Sequence, residues 1–324
     1  MRDDKLQRAV PVLSALGKSV CYLALFLGMQ VAVLLPFSLV AGVQAALGGD
    51  ADALYAELNA NLMTYTMISG LLTLIIILAV YRLRRRPMAE ALWLRGVDGP
   101  TLLTGAALAP GLYLIIGTLL MLLPKAWTES YNEASAGIDS GTLTGVLAVA
   151  VVAPVVEELI FRGLMLNRLR MVMPGWVAVL LSSAVFGACH GNPVWFGYAF
   201  ALGAFFGFLD LRANSVLPSI LGHLAFNAIS QILSFVPETE DGSEAGLAVK
   251  ILLLAAVAAP ALNWRAITAL FRRGPRRAAL PARLKGERSR LGEGLVSGGD
   301  PAADEELAKH APWAAELRER HTFT

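Results

Sequence analysis

The sequence predicts an all-α polytopic membrane protein, with about eight transmembrane helices packed in one bundle. Three observations carry that expectation. Hydrophobic residues make up 56% of the 324 and charged residues only 16%, where a soluble domain carries about 25% charged residues. Apolar runs of membrane-spanning length recur between residues 20 and 262, separated by short polar segments. Arginine falls in alternate segments between those runs. Lipid offers no hydrogen-bond partners, so each span must pair its own backbone groups, and helices do so within one segment.

Residues 1–19 are polar and partly basic, and form a cytoplasmic N-terminal segment. The first span is 20–43, where Pro36 predicts a kink. An acidic stretch, 48–61, leads to the second span, 62–81, and then to the basic block Arg82, Arg84, Arg85 and Arg86. The third span is 101–123, with Pro110 inside it, followed by a polar connection. The fourth, 143–169, ends in Arg168 and Arg170, and Pro174-Gly175 turns the chain. The fifth, 176–190, is short enough to be spanning or re-entrant, and Gly191-Asn192-Pro193 breaks it. The sixth, 195–211, carries Gly203 and Gly207, a small-residue pair that permits close helix packing. The seventh is 216–235 and the eighth 245–262. The membrane domain is thus 20–264, and 265–324 is a basic, disordered cytoplasmic tail. Within that tail 305–320 could form a short amphipathic helix with Trp313 and Leu317 four apart, though a solvated segment is the plainer reading.

Segments after spans two, four, six and eight hold arginine, and those after one, three, five and seven hold almost none. The positive-inside rule then puts both termini in the cytoplasm, with the bacterial inner membrane as the expected location. A net charge of +2 gives no ground for a nucleic-acid partner. Cys21 and Cys189 lie in apolar runs and offer neither a disulfide framework nor a CxxC pattern. The first apolar run is too long for a signal peptide and lacks a small-x-small cleavage site.

Ionisable residues inside this apolar background mark the functional site. Glu157, Glu158 and Arg162 interrupt the fourth span, where a buried charge costs about 3 kcal/mol on insertion scales. Glu158 and Arg162 are four apart and can pair on one helix face. Glu157 points about 100° away and has no such local partner, which leaves it free for chemistry. A second group is His190, with Phe186 one turn before it as packing, and Cys189 as a small apolar filler. A third is His223 with Asn227, again on one face. Counted from the arginine-bearing ends, Glu157, His190 and Asn227 lie at a depth of roughly 20 Å, with His223 about one turn away. They can meet at one level of the bundle, enclosed by spans four to seven.

A glutamate beside a histidine can take a proton from water, and a histidine with an asparagine can stabilise an oxyanion. That set hydrolyses an amide bond. Equally, Glu157, His190, His223 and Asn227 could hold a zinc ion, although the His-Glu-x-x-His spacing is missing. Two rivals share the residues: a non-catalytic immunity or scaffold protein that binds a peptide or lipid in the pocket, and a proton-coupled transporter. The chain shows no obvious repeat between its halves, which argues against the transporter.

Glu157-Glu158-x-x-x-Arg162, Phe186-x-x-x-His190 and His223-x-x-x-Asn227 together resemble the CPBP intramembrane proteases, also called the CAAX-protease and bacteriocin-processing, or Abi, family. The likeness covers 143–235. It implies an intramembrane endopeptidase that acts on a membrane-associated protein or peptide. Glu157 would activate water with help from His190, and Glu158 and Arg162 would give structural support. His223 and Asn227 would stabilise the oxyanion or, in a metalloprotease reading, bind zinc. No family motif falls in spans one to three or in span eight. The loops carry no lipid-binding signature, which argues against a prenylated substrate.

Overall fold

The computed structural model describes residues 2–85, 87–136, 142–236 and 243–272, all helix and connecting turns. α1 runs Arg2–Ala46 as one element through Pro11 and Pro36, and its membrane-spanning part begins at Pro11, earlier than residue 20. α2 (Ala51–Ala60) starts on Asp50, whose carboxylate accepts the N–H groups of Asp52 and Ala53, the usual remedy for unpaired donors at a helix start. α3 is Leu62–Leu83. Two short helical turns follow, α4 (Met88–Ala91) and α5 (Gly99–Leu102), and then α6 (Thr104–Met121) and α7 (Lys125–Ala136). α8 is the Glu-Glu span, Leu143–Leu169. α9 is Gly175–Ala188, α10 Pro193–Ala213, α11 Leu217–Ser234, α12 Ser243–Leu262 and α13 Trp264–Arg272.

A helix occupies each of the eight expected segments, but five are long and apolar enough to cross a membrane alone, or six if α12 and α13, bent by 64°, count as one. α9 has 14 residues, about 21 Å at 1.5 Å per residue, short of a hydrocarbon layer of about 30 Å. α11 has 18 residues but spends several of them on Ser219, His223, Asn227 and Gln231. α9 buries one face, with Ala178, Val179, Ser182, Ser183, Phe186 and Gly187, and leaves Trp176, Leu180 and Leu181 exposed.

α8 is the central element. Every residue from Glu158 to Leu166 is buried, and the helix packs against α1, α3, α9, α10 and α11. Its turns are wider than α-helical over Ala148–Val152 and Glu158–Leu166. Pro154 lies between the two stretches and has no N–H to donate, a frequent cause of such irregularity. α6 and α11 touch through backbone: a Cβ on Gly105 would lie 1.9 Å from the Pro218 carbonyl oxygen, so only glycine allows the approach.

The arginine-rich end of the bundle is sealed by the segment between α3 and α5. Leu92 and Trp93 are buried there, and Trp93 takes a left-handed φ of 57°. The Trp93 carbonyl accepts Val216 N–H, and its indole N–H donates to Asn214 Oδ1 at 3.2 Å. Arg170 lies over the Trp93 ring at 3.8 Å and donates to Asn214 and Asn167. Asn167 donates in turn to the Glu90 and Ala91 carbonyls, and Ser215 Oγ to that of Arg95 at 2.7 Å. Burial and the nearby Arg95 draw the Arg170 guanidinium down to about 10, so it stays charged at neutral pH.

The tail starts later than residue 265. α13 is ordered because Ile267 and Leu270 are buried, Leu270 in a cluster with Leu209 and Ala213 of α10. The remaining tail, including 305–320, lies outside the described residues. So do Gly137–Gly141 and Pro237–Gly242.

Candidate active site

Glu158 anchors the site from within the core. Its Oε1 lies 2.9 Å from Arg162 Nη1 and 2.9 Å from His223 Nδ1, and neither Glu158 nor Arg162 is exposed. A carboxylate oxygen facing a guanidinium acts as acceptor, so His223 donates through Nδ1. Arg162 is covered by Phe186, whose ring centre lies 4.4 Å from the guanidinium carbon. Gly203 of α10 makes room for it: a Cβ there would come within 3.0 Å of Arg162 Nη2 and 3.1 Å of Ser183 Cβ.

Glu157, one residue earlier, turns the other way into a cavity of about 650 Å³. His190, His223 and Asn227 line the same cavity; Glu158 and Arg162 do not. Glu157 Oε2 lies 3.8 Å from His223 Nε2. His223 thus stands between the two glutamates, held by Glu158 on one nitrogen and facing Glu157 with the other.

His190 lies two residues beyond the end of α9, where the last carbonyls run out of helical donors. Its Nδ1 lies 2.9 Å from the Phe186 carbonyl. A carbonyl only accepts, so Nδ1 carries the proton and Nε2 of the neutral ring keeps its lone pair. Its ring packs edge-on against Phe186 and Trp195. Among the described residues no ion pair within 4.0 Å joins His190 to Glu157; the imidazole at that range is that of His223.

Asn227 is placed by the irregularity of α8. Ala153 N–H goes to the Ala148 carbonyl, and Pro154 has no N–H, so the Val149 carbonyl is left to an outside donor. Asn227 Nδ2 supplies it at 2.8 Å. The second N–H of that amide remains for another acceptor.

Three features escaped the sequence reading. Phe186 is more than packing, since its ring touches Arg162, His190 and His223 at once. His223 bonds Glu158, a contact between residues 65 apart that no local spacing encodes. Asp210 is fully buried, and neither carboxylate oxygen has a hydrogen-bond partner. It lies inside the expected sixth span, 195–211, where an acid in an apolar run was the available signal. Two serines near the site bond backbone carbonyls, Ser182 that of Val179 and Ser219 that of Val216. Cys189 lines the cavity, half-buried.

The zinc alternative needs ligands gathered around one point. Among the described residues no three His, Cys, Asp or Glu side chains stand close enough to hold a metal ion. Both imidazoles bond protein oxygens through Nδ1, which leaves Nε2 of each available.

Residues 139–229 match the family model described as type II CAAX prenyl endopeptidase Rce1-like. An Escherichia coli protein named only as an uncharacterized 24.3 kDa protein is 28% identical over 170 residues, which cover 51% of this chain and 77% of that one. No solved structure matches the chain. The stretch that carries the Glu-Glu, His and His-x-x-x-Asn groups is therefore the part of this integral membrane protein that is similar to the Rce1-like CAAX endopeptidases.

Proposed function

We propose that the protein is an intramembrane endopeptidase that hydrolyses a peptide bond of a membrane-associated substrate with Glu157 as the water-activating base. The observation that supports this most is the division of labour between neighbouring acids. Glu158 is locked to Arg162 and His223 inside the core, while Glu157 faces the cavity with a histidine beside it. A water between Glu157 and the scissile carbonyl loses a proton to the carboxylate, and its oxygen adds to the carbonyl carbon. The oxyanion takes the free Asn227 N–H and, when His223 carries a second proton, its Nε2–H. Collapse breaks the C–N bond, and the proton held by Glu157 passes to the leaving amine. His190 assists through Nε2, as a second acceptor for the water. The bacterial inner membrane, with both termini cytoplasmic, is the location that the arginine distribution supports.

The test is cleavage of a membrane-anchored reporter peptide by purified protein in vesicles. Glu157→Ala abolishes cleavage and leaves insertion and thermal unfolding unchanged. Full activity in that variant rejects Glu157 as the base, whereas no cleavage by the wild-type protein favours a non-catalytic binding role for the pocket.

A further inference from the structure

We infer that the cavity admits its substrate from the arginine-poor face of the membrane, so that the scissile bond belongs to a peptide presented on the extracytoplasmic side. The inference rests on the proteolytic reading above for what is cleaved, and on independent observations for the side. The lining residues come from one half of the bundle only. α3 contributes its first turns, Leu62 to Thr66, and α6 its last, Tyr113 to Leu120. α10 contributes its beginning, from Trp195, and α11 its end, as far as Ser234. These ends adjoin the acidic connection 48–61 and the segments after α6, α9 and α11, none of which holds more than one basic residue.

The opposite half is closed. Leu92 and Trp93 fill it beneath α8, Arg170 lies on Trp93, and the Asn167, Asn214 and Ser215 hydrogen bonds tie the plug to α8 and to the start of α11. No residue of that plug lines the cavity. Arg82, Arg84, Arg95, Arg168, Arg170, Arg212 and Arg265 all stand at this end, and such asymmetry orients a bundle with its basic end in the cytoplasm. A peptide coming from the cytoplasm would have to break the plug; one coming from the other side meets Tyr131 and Ser135 of α7 and then Trp195. A cavity of about 650 Å³ falls within the range of small-ligand pockets, roughly 300–1,000 Å³, so it holds a short extended segment rather than a folded domain. Its aromatic and aliphatic walls fit apolar side chains.

The test uses single cysteines in the full chain with Cys21 and Cys189 replaced by serine. Ser135→Cys and Leu120→Cys report the mouth; Arg84→Cys and Arg265→Cys report the plugged end. In intact spheroplasts a membrane-impermeant maleimide labels the first pair and leaves the second unlabelled until the membrane is inverted. The reverse pattern overturns the inference, as does failure of the mouth positions to label from outside while the unfolded protein labels fully. Wild-type protein in right-side-out vesicles then cleaves an impermeant peptide supplied outside, and inside-out vesicles do so only after detergent. Absence of cleavage in every preparation, detergent included, sinks the proteolytic reading alone, because the labelling still decides which side is open.

Discussion

One carboxylate oxygen, Oε1 of Glu158, faces both Arg162 and His223 at 2.9 Å, and its sister Oε2 is buried without a partner. Removing one member of a buried pair strands the other charge, which costs about 3–5 kcal/mol. Arg162→Ala therefore lowers stability by about that much, read as a shift in denaturant midpoint in detergent, and cleavage falls with it. Glu158→Ala also releases His223, so its activity falls even where folding survives. A folded, fully active Glu158→Ala protein would show that His223 needs no anchor. Metal dependence is tested at this scale too. With no three-ligand set among the described residues, chelation followed by dialysis leaves the cleavage rate at its original value. Loss of activity that zinc restores would overturn the metal-free mechanism.

Among the elements, α8 and α11 are coupled through a missing hydrogen. Pro154 denies the Val149 carbonyl a helical partner, and Asn227 takes its place. Pro154→Ala supplies an N–H at that point and a better helix former besides. The expected outcome is an unchanged or higher unfolding temperature with slower cleavage, because Asn227 loses its fixed position. Equal rates would show that Asn227 is held by something else. The crossing of α6 and α11 makes the opposite kind of demand. A methyl group on Gly105 meets the backbone at Pro218 and at Gly222, neither of which can rotate away. Overpacking of this kind costs about 1–3 kcal/mol or more. Gly105→Ala shifts α11, and with it His223 and Asn227, so activity and stability fall together in cleavage and unfolding assays.

The described residues form a helical bundle with a cavity in one half and a buried plug at the other end. Arginine-rich connections fold inward on one side; α7, with its tyrosine on Trp195, borders the cavity on the other. A membrane enzyme must admit water to a peptide bond without flooding the bilayer. In the proposed mechanism a cavity lined by Glu157, Phe186, His190 and His223 meets that need, with the Glu158–Arg162 pair buried outside its lining.

Composition and arginine placement sufficed for the class of fold, and the span limits read from apolar runs fall within a few residues of the helices, except at α1. Hydrophobic burial in lipid is a property of each segment by itself, which is why it is legible in one dimension. Motif spacing likewise singled out Glu157, His190, His223 and Asn227, which line one cavity, since residues four apart share a helix face whatever surrounds them. The partners of those residues were not legible. The Glu158–His223 bond, the Phe186 ring over Arg162, the burial of Asp210 and the capture of the Val149 carbonyl by Asn227 all join different helices. Such contacts depend on crossing angles and helix rotation, which the packing of the whole bundle sets. The same packing ordered α13, whose Ile267 and Leu270 are too few to mark a core in a basic segment until α10 is there to receive them.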